Sequence, residues 1–288
     1  MGILRFTAAL GLLLPLAVAG QPADSTFYLS NWPRFLTQFN DTLPNAFAGG
    51  LRNPQVYNID LNKDNTDDLV VFDGSDKRIL PFIRQGAADD LQYTYAPRYR
   101  THFPANSQFE ALKVRDYNGD GLRDLFYNTG GGLMVYRQQD STALSFTKVK
   151  DELTATQLVY CPDTCQARVF TPNTDIPGIG DVDGDGDLDV LSFGGGSYLS
   201  YYQNLASERA DLTRDSLVFE YSNACWGSFR ESGVGSNVPN IGINCSDVRR
   251  AGKKHAGANL LISNIDGDAD QDIIYGDVGF RNLVALEN

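Results

Sequence analysis

The chain has 288 residues, and its 36 Asp and Glu against 24 Lys and Arg give a formal net charge of −12. This excess of acidic residues argues against nucleic acid as a partner, because binding to phosphates needs clustered positive charge. The 28 glycines and the 11% aromatic residues suit many short strands joined by tight turns. The length allows one β domain or two smaller domains.

The N-terminus predicts export from the cell. Arg5 precedes an apolar run from Phe6 to Ala19, which is typical of a signal peptide. The run is shorter than the roughly 20 residues that a membrane-spanning helix needs. We therefore expect residues 1–20 to be a signal peptide and residues 21–45 to be a lead-in segment. The mature protein should be secreted or lie at the cell surface, with no transmembrane segment.

Four cysteines in an exported chain predict disulfides. A zinc site is disfavoured, because zinc usually takes four Cys or His ligands and the chain has only two histidines. Three connectivities are open to four cysteines. Proximity in the sequence favours Cys161–Cys165 together with Cys225–Cys245.

One nine-residue pattern occurs four times, at residues 60–68, 116–124, 181–189 and 264–272. Side chains with oxygen atoms hold the first, third, fifth and ninth places of every copy. The copies start 56, 65 and 83 residues apart, which is too irregular for a solenoid but acceptable for blades joined by loops of varying length. The longest interval indicates an insertion at about residues 222–259.

The residues around each copy indicate strands. Leu69–Phe72 follows the first copy, and a turn then leads to the apolar run Ile79–Ile83. A further strand-like run, such as Tyr93–Tyr95, often precedes the next copy. Three or four strands per repeat predict the blades of a β-propeller. The predicted fold is therefore an all-β propeller of four-stranded blades over residues 46–288.

Oxygens at alternate places of a tight turn converge on one point, which suits calcium with its six to eight oxygen ligands. Glycine in the sixth place permits positive φ in the second and third loops, and Asn65 tolerates it, whereas Ala269 adds a cost of roughly 1 kcal/mol. An EF-hand is excluded, because the twelfth places lack Glu and the flanks are not helical. The alternative is that the loops are acidic turns that bind no ion.

These loops resemble the FG-GAP or VCBS repeats of integrin α-subunit propellers and of many bacterial secreted proteins. The similarity covers about residues 46–288 and is strongest at the third loop, which Phe193 and Gly194 follow. It implies about three to four Ca²⁺ ions, held by side chains of the first, third, fifth and ninth places and by carbonyls of the seventh. The implied ligands are Asp60, Asn62, Asp64, Thr66 and Asp68; Asp116, Asn118, Asp120, Leu122 and Asp124; Asp181, Asp183, Asp185, Asp187 and Asp189; and Asn264, Asp266, Asp268, Asp270 and Asp272.

The sequence also departs from the family pattern. Asn replaces Asp at positions 62, 118 and 264, and glycine is missing at positions 65 and 269. Four motifs are present where such propellers commonly have seven blades. Either the N-terminal run near Phe35–Phe39 completes the last blade, or the chain is part of a longer, seven-bladed propeller, which is the interpretation we favour.

The sequence contains no recognisable catalytic or phosphate-binding motif. We therefore expect a secreted, non-catalytic module for binding or adhesion, with an extracellular protein or glycan as its ligand. The alternative is a glycan-active enzyme or an accessory carbohydrate-binding domain, and a pair of carboxylates facing an open cleft would favour the enzyme. No catalytic residues and no organic cofactor are predicted.

Overall fold

The apolar runs after the acidic loops form β-strands in the computed structural model of the protein. The structure describes residues 38, 45–86, 90–105, 107–139, 142–157, 165–193, 197–231, 236–245, 257–268 and 270–288. The predicted signal peptide and, apart from Gln38, residues 21–44 lie outside this set. Residues 44–288 make up one compact unit.

The described strands form a separate two-stranded hairpin and four further sheets, which are arranged as a four-bladed β-propeller. Blade 1 contains β1 (Pro54–Ile59), β2 (Asp68–Asp73), β3 (Arg78–Gln85) and β4 (Gln92–Tyr95), and blade 2 contains β5 (Ala111–Arg115), β6 (Asp124–Asn128), β7 (Leu133–Gln138) and β8 (Phe146–Lys150). Blade 3 contains β9 (Thr154–Thr156), β10 (Gln166–Arg168), β11 (Gly178–Gly180), β12 (Asp189–Ser192), β13 (Ser200–Asn204) and β14 (Phe219–Asn223). The separate hairpin is formed by β15 (Phe229–Arg230) and β16 (Asn240–Ile241), and blade 4 contains β17 (Ala258–Ser263), β18 (Asp272–Asp277) and β19 (Leu283–Leu286).

The predicted all-β propeller is confirmed, and blades 1 and 2 have the predicted four strands. Blade 3 is larger, with the order β10-β9-β14-β13-β12-β11, because β9 pairs in parallel with β14. Blade 4 contains three described strands. The sequence patterns did not identify the first strand of each blade, because β1, β5, β11 and β17 mix polar with apolar residues or are very short.

The second strands of blades 1, 2 and 3 are buried on both faces, which explains their nearly continuous apolar sequences. In β6, Leu125 and Tyr127 pack into the core that blades 1 and 2 share. Phe126 points to the opposite face, into the core that blades 2 and 3 share. A third core, which includes Phe193 and Tyr275, joins blades 3 and 4. These shared cores hold neighbouring blades together.

Side chains of the first strands link the blades around the axis. The Leu112 N–H donates to Gln55 Oε1 at 2.8 Å, and Arg115 Nε donates to the Ile179 carbonyl at 3.1 Å. Lys113 Nζ donates to the Leu260 carbonyl at 3.0 Å. Four first strands from four blades are thus tied together by bonds between side chains and main chain.

Lys113 is buried, and this burial, with a smaller contribution from Arg115, lowers its pKa to about 7. Between about pH 7 and pH 10 the unfolded chain therefore holds a proton that the folded chain does not. The contribution of Lys113 to the free energy of unfolding should therefore rise with pH in this window by up to about 1.4 kcal/mol per pH unit. We expect Lys113→Met to remove this rise in urea unfolding curves measured from pH 7 to pH 9. Exposed Lys150→Met is the matched control, and curves for Lys113→Met parallel to those of the unsubstituted protein would contradict the prediction.

The disulfide prediction is confirmed where the structure describes both cysteines. Cys225 and Cys245 form a disulfide across a sequence separation of 20 residues, beside the hairpin of β15 and β16. The other predicted pair includes Cys161, which lies outside the described residues. Among the described residues, no helix is long and apolar enough to cross a bilayer.

Candidate metal centre

The four acidic loops occupy the same place in each blade, between the first strand and the second strand. They connect β1 to β2, β5 to β6, β11 to β12, and β17 to β18. Because these strand pairs are antiparallel and each loop follows the first strand, all four loops lie at the same end of the propeller. The repeat in the sequence is therefore a repeat in space.

The side chain in the first place holds the loop together from inside. In the third loop, Asp181 Oδ1 accepts the Gly184 N–H at 2.7 Å and Asp181 Oδ2 accepts the Gly186 N–H at 3.0 Å. The first-place aspartates Asp60 and Asp116 accept the equivalent N–H groups of their own loops. The tight turn therefore forms from contacts within six residues.

Both residues that donate to the first place have positive φ wherever the structure describes them. The sixth place has φ of 64° at Asn65, 83° at Gly121 and 95° at Gly186, in line with the sequence argument. The fourth place has positive φ as well, including 62° at Lys63. A side chain in this region is disfavoured by about 1–2 kcal/mol. Because Lys63 takes the place that glycine holds in the second and third loops, the backbone of the first loop is more strained than theirs. Ala269 lies outside the described residues.

The aspartate in the ninth place is buried in every copy, at 0–1% exposure. One oxygen accepts the N–H of the second loop residue, and the other accepts an N–H within two residues of the end of the third strand of the blade. For Asp189 the donors are Val182 at 2.9 Å and Asn204 at 2.8 Å. The equivalent donors are Leu61 and Arg84 for Asp68, Tyr117 and Gln138 for Asp124, and Ile265 and Asn288 for Asp272. The ninth place thus attaches each loop to its blade.

The third loop brings carboxylates together in a way that could hold a metal ion. Oxygens of Asp181, Asp183 and Asp189 lie within 4.8 Å of one another, and so do oxygens of Asp183, Asp185 and Glu208. Asp183 belongs to both groups. Its Oδ2 also accepts hydrogen bonds from Tyr201 Oη at 3.1 Å and from Gln203 Nε2 at 2.7 Å.

Electrostatics of the third loop fit a cation. Burial, with smaller contributions from the carboxylates of Asp183 and Asp187, raises the pKa of Asp189 to about 8. Burial likewise raises the pKa of Asp187, whose Oδ2 accepts the Ser207 N–H at 2.9 Å. The donor set is all oxygen and carries several negative charges, which is the chemistry that hard divalent cations prefer. A bound cation would stabilise the ionised carboxylates that burial disfavours.

The second loop is partly neutralised by the protein itself. Asn118 Nδ2 donates to Asp120 Oδ2 at 3.0 Å, and Arg137 Nη2 donates to the same oxygen at 3.3 Å. Asp215, from the β13–β14 connection, accepts a hydrogen bond from Asn118 at 2.8 Å. Burial also raises the pKa of Asp124, to about 7. Arg137 therefore already compensates part of the negative charge that a bound ion would neutralise in this loop.

The first loop has a similar internal bond, from Asn62 Nδ2 to Asp64 Oδ2 at 2.8 Å. In the fourth loop, Asp268 Oδ1 accepts the Asp270 N–H at 3.0 Å. Among the described residues, the groups of three or more acidic side chains close enough to share an ion all belong to the third loop and its surroundings. The ligand sets assigned to all four loops stay predictions.

Sequence reasoning missed the residues that reach the third loop from other parts of blade 3. Glu208, Gln203 and Tyr201 lie beyond the motif, in β13 and the connection that follows it. The nine-residue pattern carries no signal for them, because β13 and the connection after it, which lie outside the pattern, bring them to the third loop.

The fold and this site together define an all-β, four-bladed propeller with an acidic cluster that could hold a metal ion. A scan against protein-family models finds no match for the chain, and a search of curated proteins finds none either.

Proposed function

We propose that this protein is a secreted, calcium-binding repeat protein of the FG-GAP or VCBS type, which acts as a non-catalytic module for binding or adhesion. The observation that carries the proposal is the third loop, where Asp181, Asp183 and Asp189 bring three carboxylate oxygens within 4.8 Å of one another. The same loop recurs in every blade at the same end of the propeller. Calcium is the cation proposed, because flexible loops rich in carboxylate and carbonyl oxygens suit its coordination.

The role proposed for calcium is structural. The ninth-place aspartates use both oxygens to bind main-chain N–H groups, so they fix the loops to the blades. An ion with a Kd of about 0.1 mM would add about 1.4 kcal/mol to the free energy of unfolding at a tenfold higher free concentration. A rigid propeller stabilised in this way would present variable loops to an extracellular ligand.

The test compares thermal unfolding in millimolar calcium with unfolding after chelation, together with calorimetric titration to count ions. We expect calcium to raise the Tm by several degrees. Asp183→Asn should lose most of one ion's contribution in calcium, because Asp183 belongs to both acidic groups. Without calcium the same substitution should be neutral or stabilising, since it removes repulsion between carboxylates.

The matched control is Asp211→Asn, which changes an exposed aspartate outside the loops that pairs with Arg209. It should leave the calcium-dependent shift unchanged. If calcium neither binds nor shifts the Tm, the loops are acidic turns and the proposal is wrong. Equal losses in both variants would place the ion elsewhere.

A glycan-active enzyme is the second candidate. It is favoured by a cavity at the propeller axis whose lining includes the acidic residues Glu110, Asp175 and Asp277. Carboxylate pairs flanking a sugar bond are the groups that glycoside hydrolysis uses. Hydrolysis of chromogenic glycosides that is abolished in Asp277→Asn would favour this candidate over a binding module.

A further inference from the structure

A cavity of about 450 Å³ lies at one end of the propeller axis, and all four blades line it. Its lining includes the starts of β1, β5 and β17 and the residues just before β11. The acidic loops follow the other ends of the same strands, so this axial cavity is at the opposite end of the propeller from the candidate metal centre. Its volume is within the range of about 300–1,000 Å³ that small-molecule sites occupy.

The axial cavity contains a buried hydrogen-bond donor without an acceptor. Gln55 is only 6% exposed, and its Oε1 is fixed by the Leu112 N–H at 2.8 Å. This bond orients the amide, so Nε2 is the atom left over. Nε2 has no hydrogen-bond partner among the described residues. A buried amide without a partner costs about 1–3 kcal/mol, so a ligand that supplies an acceptor here would recover part of that cost.

Acceptors line the same cavity. Asp277, at 5% exposure, uses Oδ1 to accept the Gly279 N–H at 2.5 Å. Asp175, at 2% exposure, uses Oδ1 to accept the Ala258 N–H at 3.1 Å. Glu110 forms an ion pair with Lys77. The amides of Asn53, Asn173 and Asn259 and the hydroxyl of Thr174 complete the polar lining.

This combination of groups selects the chemistry of the ligand. An ammonium group would suit the carboxylates, but it has no lone pair to offer Gln55 Nε2. A phosphate would accept from Gln55 but would be repelled by the carboxylates. A hydroxyl group both donates and accepts. Neighbouring hydroxyls on one sugar ring could therefore satisfy the amide donor and the carboxylate acceptors together.

We propose that the axial cavity binds one neutral sugar residue of an extracellular glycan, with one sugar hydroxyl accepting from Gln55 Nε2 and a neighbouring hydroxyl donating to Asp277. This inference rests on the proposed binding function, for which it supplies the ligand class and the binding surface.

The experiment measures binding of free glucose, galactose, mannose and N-acetylglucosamine to the calcium-loaded protein by ligand-observed NMR. Gln55→Glu keeps the oxygen that the Leu112 N–H needs and removes the donor. We expect at least one sugar to bind with a Kd in the range of about 1–10 mM and to lose about tenfold in affinity in Gln55→Glu. Asp277→Asn, which keeps the acceptor for the Gly279 N–H, should weaken binding of the same sugar.

Gln85→Glu is the matched control. It makes the same change in the same blade at an exposed residue whose Oε1 also accepts a hydrogen bond, from Thr94 at 3.0 Å, and it should leave sugar binding unchanged. Each variant's Tm is recorded to show that it folds. The proposal would be overturned if none of the four sugars showed saturable binding, or if both cavity variants bound sugar as well as the unsubstituted protein. Binding of arginine amide instead of sugars would overturn it as well. Calcium-dependent stabilisation is scored separately, so failure here leaves the calcium proposal standing.

Discussion

Replacing Asp189 with alanine should lower the free energy of unfolding by about 3–5 kcal/mol. Asp189 is fully buried, and its two oxygens accept the Val182 and Asn204 N–H groups at 2.9 and 2.8 Å. The alanine would leave both donors buried without acceptors, at about 1–3 kcal/mol each, and would add a small cavity. Urea unfolding followed by circular dichroism measures the change.

Most of this loss should persist after chelation, because the two N–H bonds do not depend on an ion. In calcium the loss should be larger by about one ion's contribution, since Asp189 is also one of the three carboxylates proposed to hold the ion. Asp185→Ala is the control within the same loop. Asp185 is exposed and accepts one main-chain bond, from the Asp187 N–H at 3.0 Å, so its loss without calcium should stay below about 1 kcal/mol. If the two variants are equally destabilised after chelation, Asp189 does not attach the loop to the blade as described.

Replacing Asn128 with leucine should also cost about 3–5 kcal/mol. Asn128 is 1% exposed, and its Nδ2 donates to the carbonyls of Pro172 and Asp175 at 2.7 and 2.8 Å. Its Oδ1 accepts from the Gly130 N–H at 2.8 Å and from Thr171 Oγ1 at 3.1 Å. Leucine has nearly the same size but leaves these buried groups unpaired. Denaturant unfolding measures the loss.

Asn223→Leu is the control for this second substitution. Asn223 is exposed at the end of β14 and makes one such bond, accepting the Cys225 N–H at 2.8 Å, so a cost below about 1 kcal/mol is expected. Because Asn128 fixes the segment that carries Asp175, we also expect Asn128→Leu to weaken the binding of any sugar in the axial cavity. A stability loss below about 1 kcal/mol would show that the segment is held by other contacts.

Much of the fold could be read from the sequence. The apolar runs Leu125–Tyr127 and Ile273–Tyr275 lie inside β6 and β18. In β6, burial on both faces requires continuous apolar residues. The turn chemistry of the loops could be predicted as well, down to positive φ at Asn65. The first strands escaped prediction, since β11 has only the three residues Gly178–Gly180 and β1 carries exposed polar residues.

The sequence by itself determined the nine-residue loops, because the contacts that shape them are local: Asp181 binds N–H groups three and five residues later. Only the tertiary structure decided which loop gathers the most carboxylates, since Glu208 reaches Asp183 and Asp185 from beyond β13. The tertiary structure also forms the axial cavity, whose lining residues are as far apart in the sequence as Asn53 and Val278. The physical reason is the same in both cases. Side chains far apart in the chain meet through strand register and blade packing, and neither is encoded in the spacing of a short motif.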